Sequence, residues 1–264
     1  MKIATFNVNS INARLPRILD WFDKAKPDVA VLQEIKCIDE KFPALEFEDR
    51  GYNVAVHGQK TYNGVALLSK HPIEDVVRGL PGDDSDEHAR FIEALITPDD
   101  AEPVRVGGIY LPNGNPAPGP KYDYKLGWMK RLKAHAQSLL QNEEAFVLAG
   151  DYNVIPQNED AYDPKVWADD ALFLPQTRAA FREIVNLGLT DALRQADPTG
   201  VRYTFWDYQR GAWEKDHGIR IDHLLLSPQA ADRFKTAGVD RTERSPGGSD
   251  VKPSDHVPVW VEII

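Results

Sequence analysis

The chain has 264 residues, 42% of them hydrophobic, enough to bury a sizeable core within one domain spanning 1–264. A formal net charge of −10 excludes polyanion binding driven by the overall field, because phosphate backbones are held by clustered Lys and Arg. The single cysteine, Cys37, excludes an internal disulfide, and no apolar run of signal-peptide or membrane-span length follows Met1, so a reducing, cytoplasmic setting is expected.

In chain order, short apolar segments at 2–8, 28–33, 52–57, 64–69, 90–97, 103–111, 145–151, 202–206, 221–227 and 257–263 alternate or run as β-branched clusters and predict strands. Helical spacing falls at 13–25, with Ile18, Leu19 and Phe22 inward, at 121–142 and at 176–187. Many strands with a few helices outside them predict an α+β fold of two packed sheets. Loops rich in Pro, Gly and Asp at 79–86 and 112–120 are candidates for a substrate-facing rim. The stretch 121–133, beginning at Lys121, holds five basic residues among two tyrosines and a tryptophan. It reads either as a track for a nucleic-acid backbone or as a solvated helix face over a buried aromatic stripe.

Polar clusters recur where apolar runs end, and together they suit phosphate-ester hydrolysis with a hard cation. Asn7 and Asn9, two apart in a strand pattern, put two amides on one face. Glu34 closes VAVLQE and places a carboxylate at a buried strand end, an anionic ligand of the kind Mg²⁺ accepts. Asp151 and Asn153 follow FVLAG, where Gly150 permits close backbone approach; the pair can hold and deprotonate a water, and an Asx turn explains it equally. Asp222 lies inside an apolar run, where a carboxylate needs a partner, and Arg220 two residues earlier is the simplest one. Asp255 and His256 precede the last strand; an Asp beside an imidazole favours its protonated form. The other histidines have no such setting and no zinc-type spacing with Cys37.

The motifs FNVN, PDVAVLQEIK, HGQKTYNGVALLSK, YLPNG, GDYNV, YTFWDY, GIRIDHLLLS and KPSDHVPVW, in this order over essentially the whole chain, resemble the exonuclease III family of apurinic/apyrimidinic endonucleases. That resemblance implies a four-layer α/β/β/α sandwich of two mixed sheets, with the site at one end, acting on double-stranded DNA at abasic sites or 3′ ends with Mg²⁺, or Mn²⁺ in its place. Carried over motif by motif, Glu34 is the principal metal ligand with Asn7 and Asp255 beside it, and Asp151 and Asn153 form a possible second metal site. Asp151 handles the nucleophilic water and Asn153 positions it. His256, paired with Asp222, contacts the phosphate, and Tyr110 stabilises charge there. Asn9, Asn113 and Lys121 are expected to meet the substrate backbone. Phe205, Ile219 and Ile221, with Trp206 adjacent, are expected to line a slot for a flipped sugar. Some members carry Trp where Ile219 stands, and Asp where Asn9 stands. A monomer with no membrane contact completes the expectation.

Overall fold

The computed structural model describes residues 1–99, 101–247 and 250–264. Twelve strands form two sheets: β1 (Lys2–Asn7), β2 (Val29–Gln33), β3 (Asn53–His57), β4 (Val65–Ser69), β5 (Ile73–Arg78), β6 (Phe91–Ile96), β7 (Val104–Tyr110), β8 (Phe146–Asp151), β9 (Thr190–Asp191), β10 (Asp222–Leu226), β11 (Phe234–Val239) and β12 (Val259–Ile263). One sheet runs β11-β12-β1-β2-β4-β3 and the other β5-β6-β7-β8-β10-β9. The β1–β2 and β7–β8 pairs are parallel and their neighbours antiparallel, so both sheets are mixed.

The period-2 alternation of the inner strands explains the layering. In β2, Val29 and Val31 face the space between the sheets, while Ala30 and Leu32 face outward beneath α1 (Ile11–Ala25) and α2 (Ala44–Glu48). In β8, Val147 and Ala149 meet that same central layer, while Phe146 and Leu148 pack beneath α3 (Pro120–Leu140) and α4 (Pro175–Val185). A strand covered on both faces reads as a continuous apolar run. Each fully buried aliphatic side chain of this kind contributes roughly 1.5–3 kcal/mol. The outcome is the expected four-layer helix–sheet–sheet–helix sandwich.

The helices start where local chemistry dictates. Ser10 caps α1 by accepting from Ala13 N, and Ile18, Trp21 and Phe22 bury its inner face, with Leu19 only partly covered. Pro120 and Pro175 open α3 and α4, where a missing N–H leaves nothing unpaired. Two shorter helices, α5 (Ala192–Ala196) and α6 (Pro228–Ala231), flank β10.

Two expectations fail. Residues 202–206 form no strand: Phe205 makes only isolated bridges to Ile219 and His256. The alternating apolar residues there pack as an irregular crossing segment rather than along a ladder. Conversely, β5, β9 and β11 lie at sheet edges, where Glu74, Asp75 and Lys235 face solvent and erase the apolar alternation.

Candidate active site

Register places the functional groups. Tyr110 pairs with Asp151 across β7–β8, and Asp151 pairs with Asp222 across β8–β10, so three side chains form one transverse row at the sheet end. In the other sheet, Asn7 ends β1 beside Gln33, and Glu34 follows at once. Gly150 is required here: a Cβ would lie 2.0 Å from the Ile109 carbonyl oxygen, so the two parallel strands could not approach.

Asn7 is fully buried and joins the sheets, donating from Nδ2 to Glu34 Oε1 at 2.8 Å and to Asp151 Oδ2 at 3.0 Å. Its Oδ1 accepts from Asn9 N at 3.0 Å. Asn7 therefore orients two carboxylates through its amide protons. Asn9 lies beyond the strand in the left-handed region, φ 44°, as does Glu34, φ 52°. Non-glycine residues held there are uncommon and cluster at functional sites.

A polar chain links Glu34 to Asp255. Lys36 Nζ is 2.8 Å from Glu34 Oε2 and donates to Asn9 Oδ1 at 2.6 Å; Asn9 Nδ2 donates to Asp255 Oδ1 at 3.0 Å. Burial raises the cost of ionising Glu34, but Lys36 and the Asn7 amide outweigh it and hold the carboxyl below its ordinary range.

His256 sits under Asp222, with Nδ1 3.0 and 3.1 Å from the two carboxylate oxygens, while Nε2 lies 3.7 Å from Asp151 Oδ2. Burial alone would push this imidazole down; the Asp222 and Asp151 carboxylates override it and hold it up at about 10. It is therefore an imidazolium at neutral pH. Burial also pushes Asp151 up, to about 7, with Asp222 adding to the rise and the imidazolium and Asn7 opposing it. Tyr110 is kept protonated by burial and by the Glu34 and Asp151 carboxylates it faces.

Oxygen and nitrogen atoms of Glu34, Asp151 and His256 lie within 4.8 Å of one another. With His256 Nδ1 engaged by Asp222, Glu34 and Asp151 supply carboxylate oxygens and no thiolate is among the donors; Cys37 is buried in the layer under α1. That set fits a hard divalent cation. Asp255 stands one hydrogen bond behind Asn9 rather than inside this group.

Other expected residues sit as follows. Asn153, φ 48°, donates from its backbone N to Asp151 Oδ1 at 2.9 Å and accepts from Asn113 Nδ2 at 3.2 Å, so the loop after β7 joins the site. Arg220 does not pair with Asp222. Its guanidinium is bound to Asp160 and Asp191 at 2.7 Å each, because the flanking loops bring those carboxylates to it. The basic track along α3 is not formed: Lys125 is buried, Arg131 pairs with Asp83 and Asp86, Lys133 pairs with Glu183, and Lys121 is exposed. Trp206, Ile219 and Ile221 are buried in the core, and of the four residues expected at the slot only Phe205 lines a groove of about 330 Å³, with Tyr162, Trp167, Arg210 and His217. The Phe205 ring meets His256 edge-on at 5.0 Å, which ties the groove to the row.

Sequence reasoning passed over Lys36, although it stands inside QEIK two residues from Glu34. It also passed over Arg90, whose guanidinium covers the Tyr110 ring at 4.8 Å, and Lys125. The last had a signal: it occupies a core position of the α3 stripe Tyr122, Lys125, Trp128, Met129, Leu132.

The model of the endonuclease/exonuclease/phosphatase family matches residues 4–256. The exodeoxyribonuclease III of Haemophilus influenzae is 33% identical, covering 99% of both chains. Among solved structures, the 3′-5′ exonuclease NExo of Neisseria meningitidis superposes with a TM-score of 0.93 at 39% identity, covering 100% of this chain and 99% of its own. It has also been solved as a 3′ phosphatase bound to a product DNA hairpin. An AP endonuclease of Archaeoglobus fulgidus gives 0.91 at 37% identity, covering 100% and 99%.

Proposed function

Given that the chain belongs to the endonuclease/exonuclease/phosphatase family, we propose that it is a DNA-repair phosphodiesterase. It cleaves duplex DNA 5′ to abasic sites, trims or unblocks 3′ ends, and depends on Mg²⁺ or Mn²⁺. The observation that carries this reading is the buried Asp222–His256–Asp151 row tied through Asn7 to Glu34.

Glu34 would hold the cation beside Asn7, with Asp255 behind Asn9, which leaves Asp151 free to act as the base. When bound, the cation supplies Lewis-acid charge at a phosphoryl oxygen and the leaving 3′ oxygen. Asp151, raised toward neutrality, takes the proton of the attacking water, and Asn153 helps to aim that water. The His256 imidazolium donates from Nε2 to a non-bridging oxygen, its other nitrogen being engaged by Asp222. The Tyr110 phenol, held protonated, donates to the phosphate or the leaving oxygen. These donors are fixed before substrate arrives, so little solvent reorganisation is needed as charge builds on phosphorus. Phe205 at the groove floor meets the sugar face, while Asn113 and Lys121 meet the backbone. All these parts come from one chain, which fits a monomer working on cytoplasmic DNA, and among the described residues no helix is long and apolar enough to cross a membrane.

The test is cleavage of a defined abasic duplex, a 3′-phosphate duplex and an undamaged blunt duplex, with Mg²⁺ and with EDTA, alongside inositol phosphates and sphingomyelin. Metal-dependent cleavage of the DNA substrates is expected. Turnover of the inositol or lipid esters alone would replace the reading with a phosphatase or lipid phosphodiesterase. DNA binding in EDTA without cleavage in Mg²⁺ would replace it with a binding module.

A further inference from the structure

Lys125 lies on the inner face of α3 and is fully buried. Its neighbours on that stripe are apolar or aromatic, and a Met or Leu would complete the packing at lower desolvation cost. The side chain does not end in an ion pair among the described residues. Nζ donates instead to two backbone carbonyls, Asn113 O at 3.0 Å and Asn153 O at 2.6 Å. Two N–H donors are needed and the amine has them in either protonation state.

Those carbonyls belong to the two loops that complete the site. Asn113 lies in the turn leaving β7 just after Tyr110; Asn153 lies in the turn leaving β8 just after Asp151. Asn153 is held left-handed, and three further bonds converge on it. Its N–H donates to Asp151 Oδ1 at 2.9 Å, its Nδ2 donates to Leu111 O at 2.9 Å, and its Oδ1 accepts from Asn113 Nδ2 at 3.2 Å. With Oδ1 of Asp151 taken by that N–H, Oδ2 is the atom left facing Asn7 and His256. Gly114, φ 90°, folds the first loop onto the lysine stem: a Cβ there would come within 2.6 Å of Lys125 Cδ.

We infer that Lys125 is a positioning residue for Asp151. By clamping the Asn113 and Asn153 carbonyls together it fixes the turn whose N–H sets the rotation of the Asp151 carboxylate. The inference rests on the proposed phosphodiesterase reading, in which Asp151 receives the proton of water.

The experiment compares wild type, Lys125→Met and Lys125→Arg, each with and without Asp151→Asn, by single-turnover and steady-state cleavage of the abasic duplex, with thermal unfolding recorded for each. Lys125→Met should lose about 10²-fold in kcat, the scale of a misplaced reacting group, with KM within about threefold. Lys125→Arg, which can reach both carbonyls, should recover at least about tenfold of that loss. In the Asp151→Asn background, Lys125→Met should cost less than about threefold, because the group it positions is already gone. If Lys125→Met does not fold, Lys125→Leu, which likewise has no donor, carries the same comparison. A folded Met or Leu variant with wild-type kcat, or an undiminished loss in the Asp151→Asn background, would overturn the inference. Absence of DNA cleavage by wild type would instead sink the phosphodiesterase reading itself.

Discussion

Replacing Asp222 by Asn removes one charge and almost no volume from beneath His256. The imidazole stands at about 10 against an ordinary 6.5, despite complete burial, with Asp222 the strongest favourable contributor. That displacement corresponds to roughly 5 kcal/mol in favour of the charged ring, shared among Asp222, Asp151 and Asp255. Loss of the Asp222 share, with desolvation left in place, should bring the ring to around or below its ordinary value. At about pH 8.5 the imidazolium fraction then falls by roughly 100-fold or more, whereas at about pH 6 it changes by only a few-fold. The assay is the ratio of wild-type to Asp222→Asn kcat across that range, with the ring titrated by ¹⁵N NMR. Any loss from a misoriented ring is independent of pH and shifts the whole curve. The ratio should climb with pH; a flat ratio, or an unmoved imidazole, would refute the claim that the charged ring works and that Asp222 charges it.

Wild type should show a Mn²⁺-dependent rise in unfolding temperature by scanning calorimetry, and Glu34→Gln should abolish it, since a neutral amide no longer anchors the ion. An equal rise in both would place the ion elsewhere. Gly150→Ala should destabilise by more than the roughly 1–3 kcal/mol of ordinary overpacking, because the clash is with backbone at Ile109 rather than with a movable side chain; urea unfolding measures it. His223 is held neutral at about 4 by burial and by Arg220. Its folded value lies below the unfolded one, so its contribution is full above about pH 6.5 and is lost as pH falls toward 4. The loss is roughly 3 kcal/mol, and a His223→Asn variant, whatever its stability at neutral pH, should lack that part of the acid slope.

The inner strands were legible because each is covered on both faces: VAVLQ and FVLAGD are buried at every position. Of the edge strands β3 was legible but β5, β9 and β11 were not, because one covered face and one hydrogen-bonded neighbour leave residues such as Glu74 and Lys235 free to be polar. Polar residues ending buried strands marked the site region by their recurrence, although Asp151 alone reads equally well as an Asx turn. Partnerships across the fold were harder. Arg220 two residues before Asp222 pointed to an ion pair, yet β10 begins only at Asp222, and Asp160 and Asp191 approach Arg220 while His256 takes Asp222. A basic run likewise looked like one surface, but helical geometry turns Lys125 inward and leaves Lys121 in solvent. The two aromatic neighbours at 205 and 206 part company because irregular backbone at 202–206 buries Trp206 while leaving Phe205 at the groove.

Because Tyr110, Asp151 and Asp222 stand abreast on neighbouring strands, their spacing is metered by the backbone ladder, at about 4.8 Å per step, and not by any connecting segment. Insertions or replacements in the connections around 112–120 and 207–218 can therefore remodel what the groove admits while the hydrolytic machinery keeps its gauge. Divergence in substrate appetite among such nucleases then needs no re-evolution of the chemistry, only a change of rim on an unchanged frame.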